Sequence, residues 1–272
     1  MSTIAPTESF GSASPAARRG GLRFSSTFLK LELVRQARNP FTLVFTLAMP
    51  VVMYVIFGAT PDYADSVIGN GNTAYMIATS MAAYGTATTM TSLTNQATAE
   101  FSRGWSRQLA LTPLTTAGYA ITKLLVAMAY AALSVTAVFV VAASTGARPD
   151  HPWMWFASGG IMLGLGCVFG LFGLGMGMIL PSDSAAGFAP IMLTFFAFFG
   201  NVFMPLSGAM LQIAKFTPLY GFNALARWPQ LEGSLDAASS DPLWALLANV
   251  AAWAVVFGLL VRFGVRRTRA RQ

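Results

Sequence analysis

The chain has 272 residues, 55% of them apolar and only 10% charged, with a formal net charge of +7. A soluble domain carries about 25% charged residues, so this composition and a mean hydropathy of +0.58 place the chain among membrane proteins. One cysteine, Cys167, and one histidine, His151, leave no disulfide framework and no paired metal site within one chain, and the basic residues flank apolar runs rather than forming a nucleic-acid patch.

Residues 1–22 are rich in Ser, Ala, Gly and Pro and read as a disordered cytoplasmic N-terminus. They hold no apolar core before a small-residue cleavage site, so they do not read as a cleaved signal peptide. Residues 23–39 follow as an amphipathic interfacial helix. Phe24, Phe28 and Leu31, with the offset Leu29, Leu33 and Val34, recur at helical spacing, and Lys30, Glu32, Arg35 and Arg38 take the remaining surface near anionic headgroups. Packing of the same helix on the rest of the protein is equally compatible. Asn39-Pro40 ends it.

Phe41–Gly58 is an uncharged run close to the ~20 residues that span a bilayer, with Pro50 as a kink. Thr73–Leu93, rich in Thr, Ser, Ala and Gly, is a second span, suited to close packing or to lining a polar path. A charged stretch from Glu100 to Pro113 then forms a loop or short helix in water. Tyr119–Ser144 is a third span, with Lys123 near its start reaching for the headgroups. The fourth, near Trp155–Leu180, carries four-residue glycine spacings such as Gly166 to Gly170 and Gly173 to Gly177, which fit helix packing within one chain or dimerisation equally well.

Pro181–Gly187 reads as a tight turn. Phe188–Phe222 is too long for one span and short for two, so it divides into a fifth span to about Met204 and short re-entrant helices around Pro205, Gly208, Pro218 and Gly221. Arg227–Asp241 reads as polar and exposed. Leu243–Val261 is the sixth span, so a six-helix transmembrane domain covers 40–264 and a basic tail covers 265–272. With the N-terminus inside, fourteen Lys and Arg fall on the cytoplasmic side against three outside, namely Arg148, Lys215 and Arg227. Both termini are expected in the cytoplasm of a bacterial cell, with the chain in its cytoplasmic membrane.

No phosphate-binding GxxxxGK[ST] stretch, paired carboxylates or nucleophile elbow occurs, so no catalytic residue and no metal or other cofactor is expected on the chain. The mid-span regions hold no acidic residue, which counts against an ion-driven carrier.

The chain resembles the permease subunits of ABC-2 type ABC exporters, over about Phe24–Arg267. The resemblance lies in the helix ending Arg38-Asn39-Pro40, six spans with both ends inside, Glu100-x-x-Arg103-Gly104-x-x-Arg107-x-Leu109-x-x-Thr112-Pro113 between spans two and three, and the apolar return ending Phe216-Thr217-Pro218-Leu219-Tyr220. Phe101-Ser102 departs from the family pattern, which often has a further charge just before Arg-Gly. The resemblance implies that Glu100–Leu111 is a coupling helix docking on a separate ATP-binding cassette subunit, with Glu100, Arg103, Gly104, Arg107 and Leu109 in contact. It implies two permease chains, identical or different, with two ATP-binding chains that hold ATP and Mg. The cargo would be hydrophobic or amphipathic, moving outward past membrane lipids, with Pro205, Pro218, Tyr220 and Arg227 as a possible external gate or substrate contact. Arg227 is weighted toward a plain surface role. An ion-coupled carrier and a non-transporting membrane scaffold are the competing readings.

Overall fold

The computed structural model describes residues 25–60, 62–100, 114–180, 182–203, 206–232, 234–236 and 239–269. Among these the regular secondary structure is helical apart from one two-stranded hairpin and two isolated β-bridges. α1 is Ser26–Ala37. α2 is composite: α-helical Pro40–Leu43 and Met49–Tyr54, each followed by a π-helical stretch, Val44–Ala48 and Val55–Ala59. The long helices are α3 (Thr73–Glu100), α4 (Thr116–Ser144), α5 (Trp153–Ile179), α6 (Ser182–Phe199) and α10 (Leu243–Arg269). Between the last two lie the short α7 (Gly208–Ala214), α8 (Pro218–Ala226) and α9 (Trp228–Leu231), then β1 (Ser234–Asp236) paired antiparallel with β2 (Ser239–Ser240).

Three helical segments are long and apolar enough to cross a membrane: Gly118–Ser144, Trp153–Ile179 and Leu243–Arg267; Thr46–Ala59 and Gly187–Phe199 are shorter apolar helices. Large apolar side chains on them face outward, Phe156 at 83% and Ile191 at 68% exposure among them. Such faces require lipid or protein against them rather than water. The chain is a membrane protein.

α3 is the centre of the bundle. Its residues are buried along most of its length, and it packs on α4, α5 and α6. Threonine makes this possible. The hydroxyls of Thr79, Thr86, Thr88, Thr94 and Thr98 donate to carbonyls four residues back at 2.7–3.1 Å, which satisfies them locally and leaves methyl groups for packing. The glycine stripe of α5 meets this surface. A Cβ on Gly166 would stand 2.7 Å from Thr86 Cγ2, and one on Gly173 would overlap the Thr91 carbonyl. The stripe therefore serves packing within one chain.

In α2, Pro50 has no N–H for the carbonyl of Thr46. Ser134 Oγ of α4 donates to that carbonyl at 2.7 Å. Pro50 itself is buried, and a Cβ on Gly85 of α3 would stand 2.9 Å from its Cγ.

The connections sort to two ends. At one end lie α1, the end of α3, the start of α4 and the end of α5, where a Cβ on Gly177 would touch Asn95 and Thr98. The last turns of α10 reach the same end, Gly264 against Met178 and Arg267 Nη1 3.5 Å from Ile179 O. At the other end the 60–72 loop bridges to Pro149 and to α9.

Three features differ from the sequence expectations. The turn expected at Pro181–Gly187 is helical from Ser182 onward. α3 continues past Leu93 to Glu100, because Asn95 and Thr98 are covered by α5 rather than solvated. The residues expected as a separate basic tail from 265 form the last turns of α10 as far as Arg269.

Candidate functional site

The α1 end holds a charge cluster assembled from three helices. Lys123 Nζ lies 2.5 Å from Glu32 Oε2 and 2.6 Å from Glu100 Oε2. Arg35 Nη2 is 3.1 Å from Glu32 Oε2 and also bonds Glu100 Oε1. Tyr119 donates at 3.1 Å to the Ala97 carbonyl and to Glu100 Oε2, and its ring lies 5.3 Å from the ammonium. Lys123 and Glu32 are only 6% exposed. Two cations thus hold two carboxylates between α1, α3 and α4, at the point where α3 hands the chain to residues 101–113.

Local sequence explains the convergence. One turn separates Glu32 from Arg35, and one turn separates Tyr119 from Lys123, so each helix presents its pair on one face. The neighbouring contacts are Phe28 against Tyr119, ring centroids 6.0 Å apart, and Tyr130 donating to the Leu33 carbonyl at 2.8 Å. Burial alone raises the Glu100 carboxyl; Lys123, then Arg35, outweigh it and hold its pKa below the ordinary 4.5. Burial alone lowers the Arg35 guanidinium, and Glu100 with Glu32 outweigh that and raise it.

This geometry corrects three readings. Lys123 does not reach toward headgroups; it is buried between two carboxylates. Glu32 lies on the packed face of α1, while Leu31, at 63% exposure, and Val34 share the open face with Arg38. The apolar residues of α1 therefore divide between Leu29 and Leu33 on the core and Leu31 and Val34 outside, since burying the charge pair turns the helix. Glu100 is not a free loop residue but ends α3 with its carboxylate engaged within the chain. Phe24, Arg103, Gly104, Arg107 and Leu109 lie outside the described residues.

The opposite end is closed by two buried amides. Asn72 donates Nδ2 to the Gly146 carbonyl at 2.8 Å and accepts from the Tyr75 and Arg148 N–H groups. Gln230 donates Nε2 to the carbonyls of Ile68 and Asn72, each at 3.0 Å. Gly69, at φ +57°, passes so close to the Gln230 carbonyl that no Cβ fits. Sequence reasoning missed Asn72 and Gln230; Asn72 carries the signal of a polar residue beside turn-forming glycines, and Gln230 carries none.

Beside this clasp lies a pocket lined in part by Gly200, Asn201, Tyr220, Asn223, Arg227 and Asp241. Pro218 starts α8 and is buried. Tyr220 donates to Asp241 Oδ2, and Lys215 Nζ lies 2.6 Å from Asp241 Oδ1. Arg227 is not exposed, as the sequence had implied, but 6% exposed, with Nε 2.5 Å from Ser80 Oγ of α3. The structure thus brings Tyr220 and Arg227 together. Pro205 lies outside the described residues.

The family model for the ABC-2 type transporter matches residues 25–230, which includes both ends of this architecture. The chain belongs to the ABC-2 type transporter family. It is also similar to the protein named "Putative transport permease YvfS" of Bacillus subtilis (strain 168), 24% identical over 244 residues, covering 88% of this chain and 96% of that one. The ABC-2 match makes the chain a membrane transport permease, and the α1-end cluster and the Arg227 pocket are features of that permease.

Proposed function

We propose that this chain is the membrane subunit of an ATP-driven exporter, moving a hydrophobic or amphipathic substrate such as a drug-like molecule, a lipid or a glycan-lipid. Six crossings by α2, α3, α4, α5, α6 and α10 leave both termini, and the α1 end, in the cytoplasm of a bacterium; α7–α9 return into the outer leaflet. The positive-inside balance supports this orientation. Residues 101–111, with Arg103, Gly104, Arg107 and Leu109, dock on an ATP-binding cassette subunit that carries ATP and Mg. Two such subunits serve two permease chains.

The observation that carries the reading is the Lys123 cluster at the end of α3. A push on residues 101–113 meets Glu100 first. The buried ion pairs pass it to α1 and α4, and the packed length of α3 passes it to the far end. Rigid elements joined by short charge-assisted bonds move as bodies, which is how domain-scale switching is transmitted. Glu100 on this reading is a positioning residue, and Arg103 and Arg107 are the docking cations.

A mild-detergent pull-down of the tagged chain from its native membrane, with ATPase activity assayed in the eluate, tests the proposal. The expected result is a stoichiometric ATP-binding partner, lost in Arg103→Ala/Arg107→Ala while membrane insertion is retained. A chain that purifies alone and free of ATPase activity overturns it.

A further inference from the structure

Arg227 is buried, yet among the described residues its side chain makes one hydrogen bond, to Ser80 Oγ at 2.5 Å. Ser80 gives its own proton to the Met76 carbonyl at 2.9 Å, so it accepts from Arg227 and supplies no negative charge. The carboxylate in the same pocket, Asp241, is engaged by Lys215 and Tyr220. The Lys215–Asp241 pair is neutral, and among the described residues Arg227 remains as net positive charge. No described residue accepts from the two terminal nitrogens of its guanidinium fork.

Arg227 caps the C-terminal end of α8. A helix C-terminus favours a cation only modestly. Removing a guanidinium from water costs more than that. The helix end is too weak to compensate, and a largely buried charge that lines a pocket is suited to an anion there.

One turn earlier on the same helix, Asn223 is 1% exposed. Its Nδ2 donates to the Asn201 carbonyl at 3.0 Å, which fixes the orientation of the amide. Its Oδ1 is buried with no hydrogen-bond partner. The pocket, a small space partly open to solvent, therefore sets unused donors beside an unused acceptor.

We propose that this pocket receives a phosphate group that carries a donor of its own: a protonated phosphate monoester, or a phosphodiester next to a hydroxyl. The planar fork of Arg227 matches two phosphate oxygens. The ligand's O–H supplies Asn223 Oδ1. A monoanion cancels the residual charge, and the rest of an amphipathic molecule leaves through the open side. The proposal rests on reading this end of the permease as its outer mouth.

The test uses the purified full-length chain in phosphate-free maltoside detergent, with chloride holding ionic strength constant. It is titrated with inorganic phosphate and separately with dihexanoyl-phosphatidylglycerol, and the thermal unfolding midpoint is read. The midpoint is expected to rise saturably, with Arg227→Gln needing about tenfold more ligand and Asn223→Ala also weakened. Equal potency of phosphate and lipid identifies the free anion as sufficient, and potency of the lipid alone identifies a headgroup. A wild-type chain with no saturable shift from either ligand, or Arg227→Gln titrating like wild type, overturns the proposal. Should Arg227→Gln fail to fold, the wild-type titration and Asn223→Ala decide. No nucleotide or ATP-binding subunit is present, so a failed titration leaves the exporter reading standing, and a failed pull-down leaves the anion site standing.

Discussion

The Lys123 ammonium lies 2.5 Å from Glu32 Oε2, joining residues 91 positions apart in a site where both are under 10% exposed. Removing one partner of a buried pair strands the other charge and costs about 3–5 kcal/mol. Lys123→Met is expected to destabilise the chain on that scale in detergent unfolding. Glu32→Gln/Lys123→Met is expected to recover part of the loss. If the two substitutions simply add, the pair is not coupled.

Acid is expected to loosen the same cluster through Glu100. Its folded pKa lies below the ordinary 4.5. A depressed carboxyl contributes stability above its unfolded pKa, and the contribution is lost as pH falls through the folded value. The unfolding midpoint should therefore decline more steeply below pH 4.5 in wild type than in Glu100→Gln. Parallel pH curves for the two would show that Glu100 is not held by Lys123 and Arg35.

The contrast between these residues and the helices shows what the sequence made legible. Long apolar runs and breakers such as Asn39-Pro40 act locally, so α2–α6, α10 and the pair of short helices before it were visible, with ends displaced by up to eight residues, whereas α9 was not. The pairing of Glu32 with Lys123, and of Arg227 with Ser80, depends on which helix faces meet, and no one-dimensional pattern carries that. Polar residues also misled at both ends. The second span was expected to end at Leu93, yet Thr94–Glu100 is the packed end of α3, and Arg227–Leu231 resembled a surface loop and includes the amide clasp. In each case a partner distant in sequence supplies the burial.

The glycines of α5 separate packing from tolerance. Gly173→Ala places a methyl group on the Thr91 carbonyl, where backbone cannot yield, whereas a Cβ at Gly164 meets nothing within 4 Å. Overpacking of this kind costs about 1–3 kcal/mol or more. Gly173→Ala is expected to lower the unfolding midpoint and the yield of folded protein, with Gly164→Ala indistinguishable from wild type. Equal behaviour of the two would mean that α3 and α5 do not meet along this stripe.

The proline of α2 gives a test in which one loss repairs another. Ser134 supplies the donor that Pro50 withholds from the Thr46 carbonyl, at 2.7 Å. Ser134→Ala leaves that carbonyl without this donor, and a membrane-helix hydrogen bond is worth about 0.6 kcal/mol on average, rising to about 1.7. Pro50→Ala restores a backbone N–H four residues on from Thr46, and that N–H can close an ordinary helical bond. Pro50→Ala alone loses the packing of the ring against Gly85. The double variant should therefore be more stable than the sum of the two single losses, by a coupling of about 1 kcal/mol in reversible unfolding from detergent. Additive losses would mean that Ser134 stabilises α2 by packing rather than by taking the place of the missing donor.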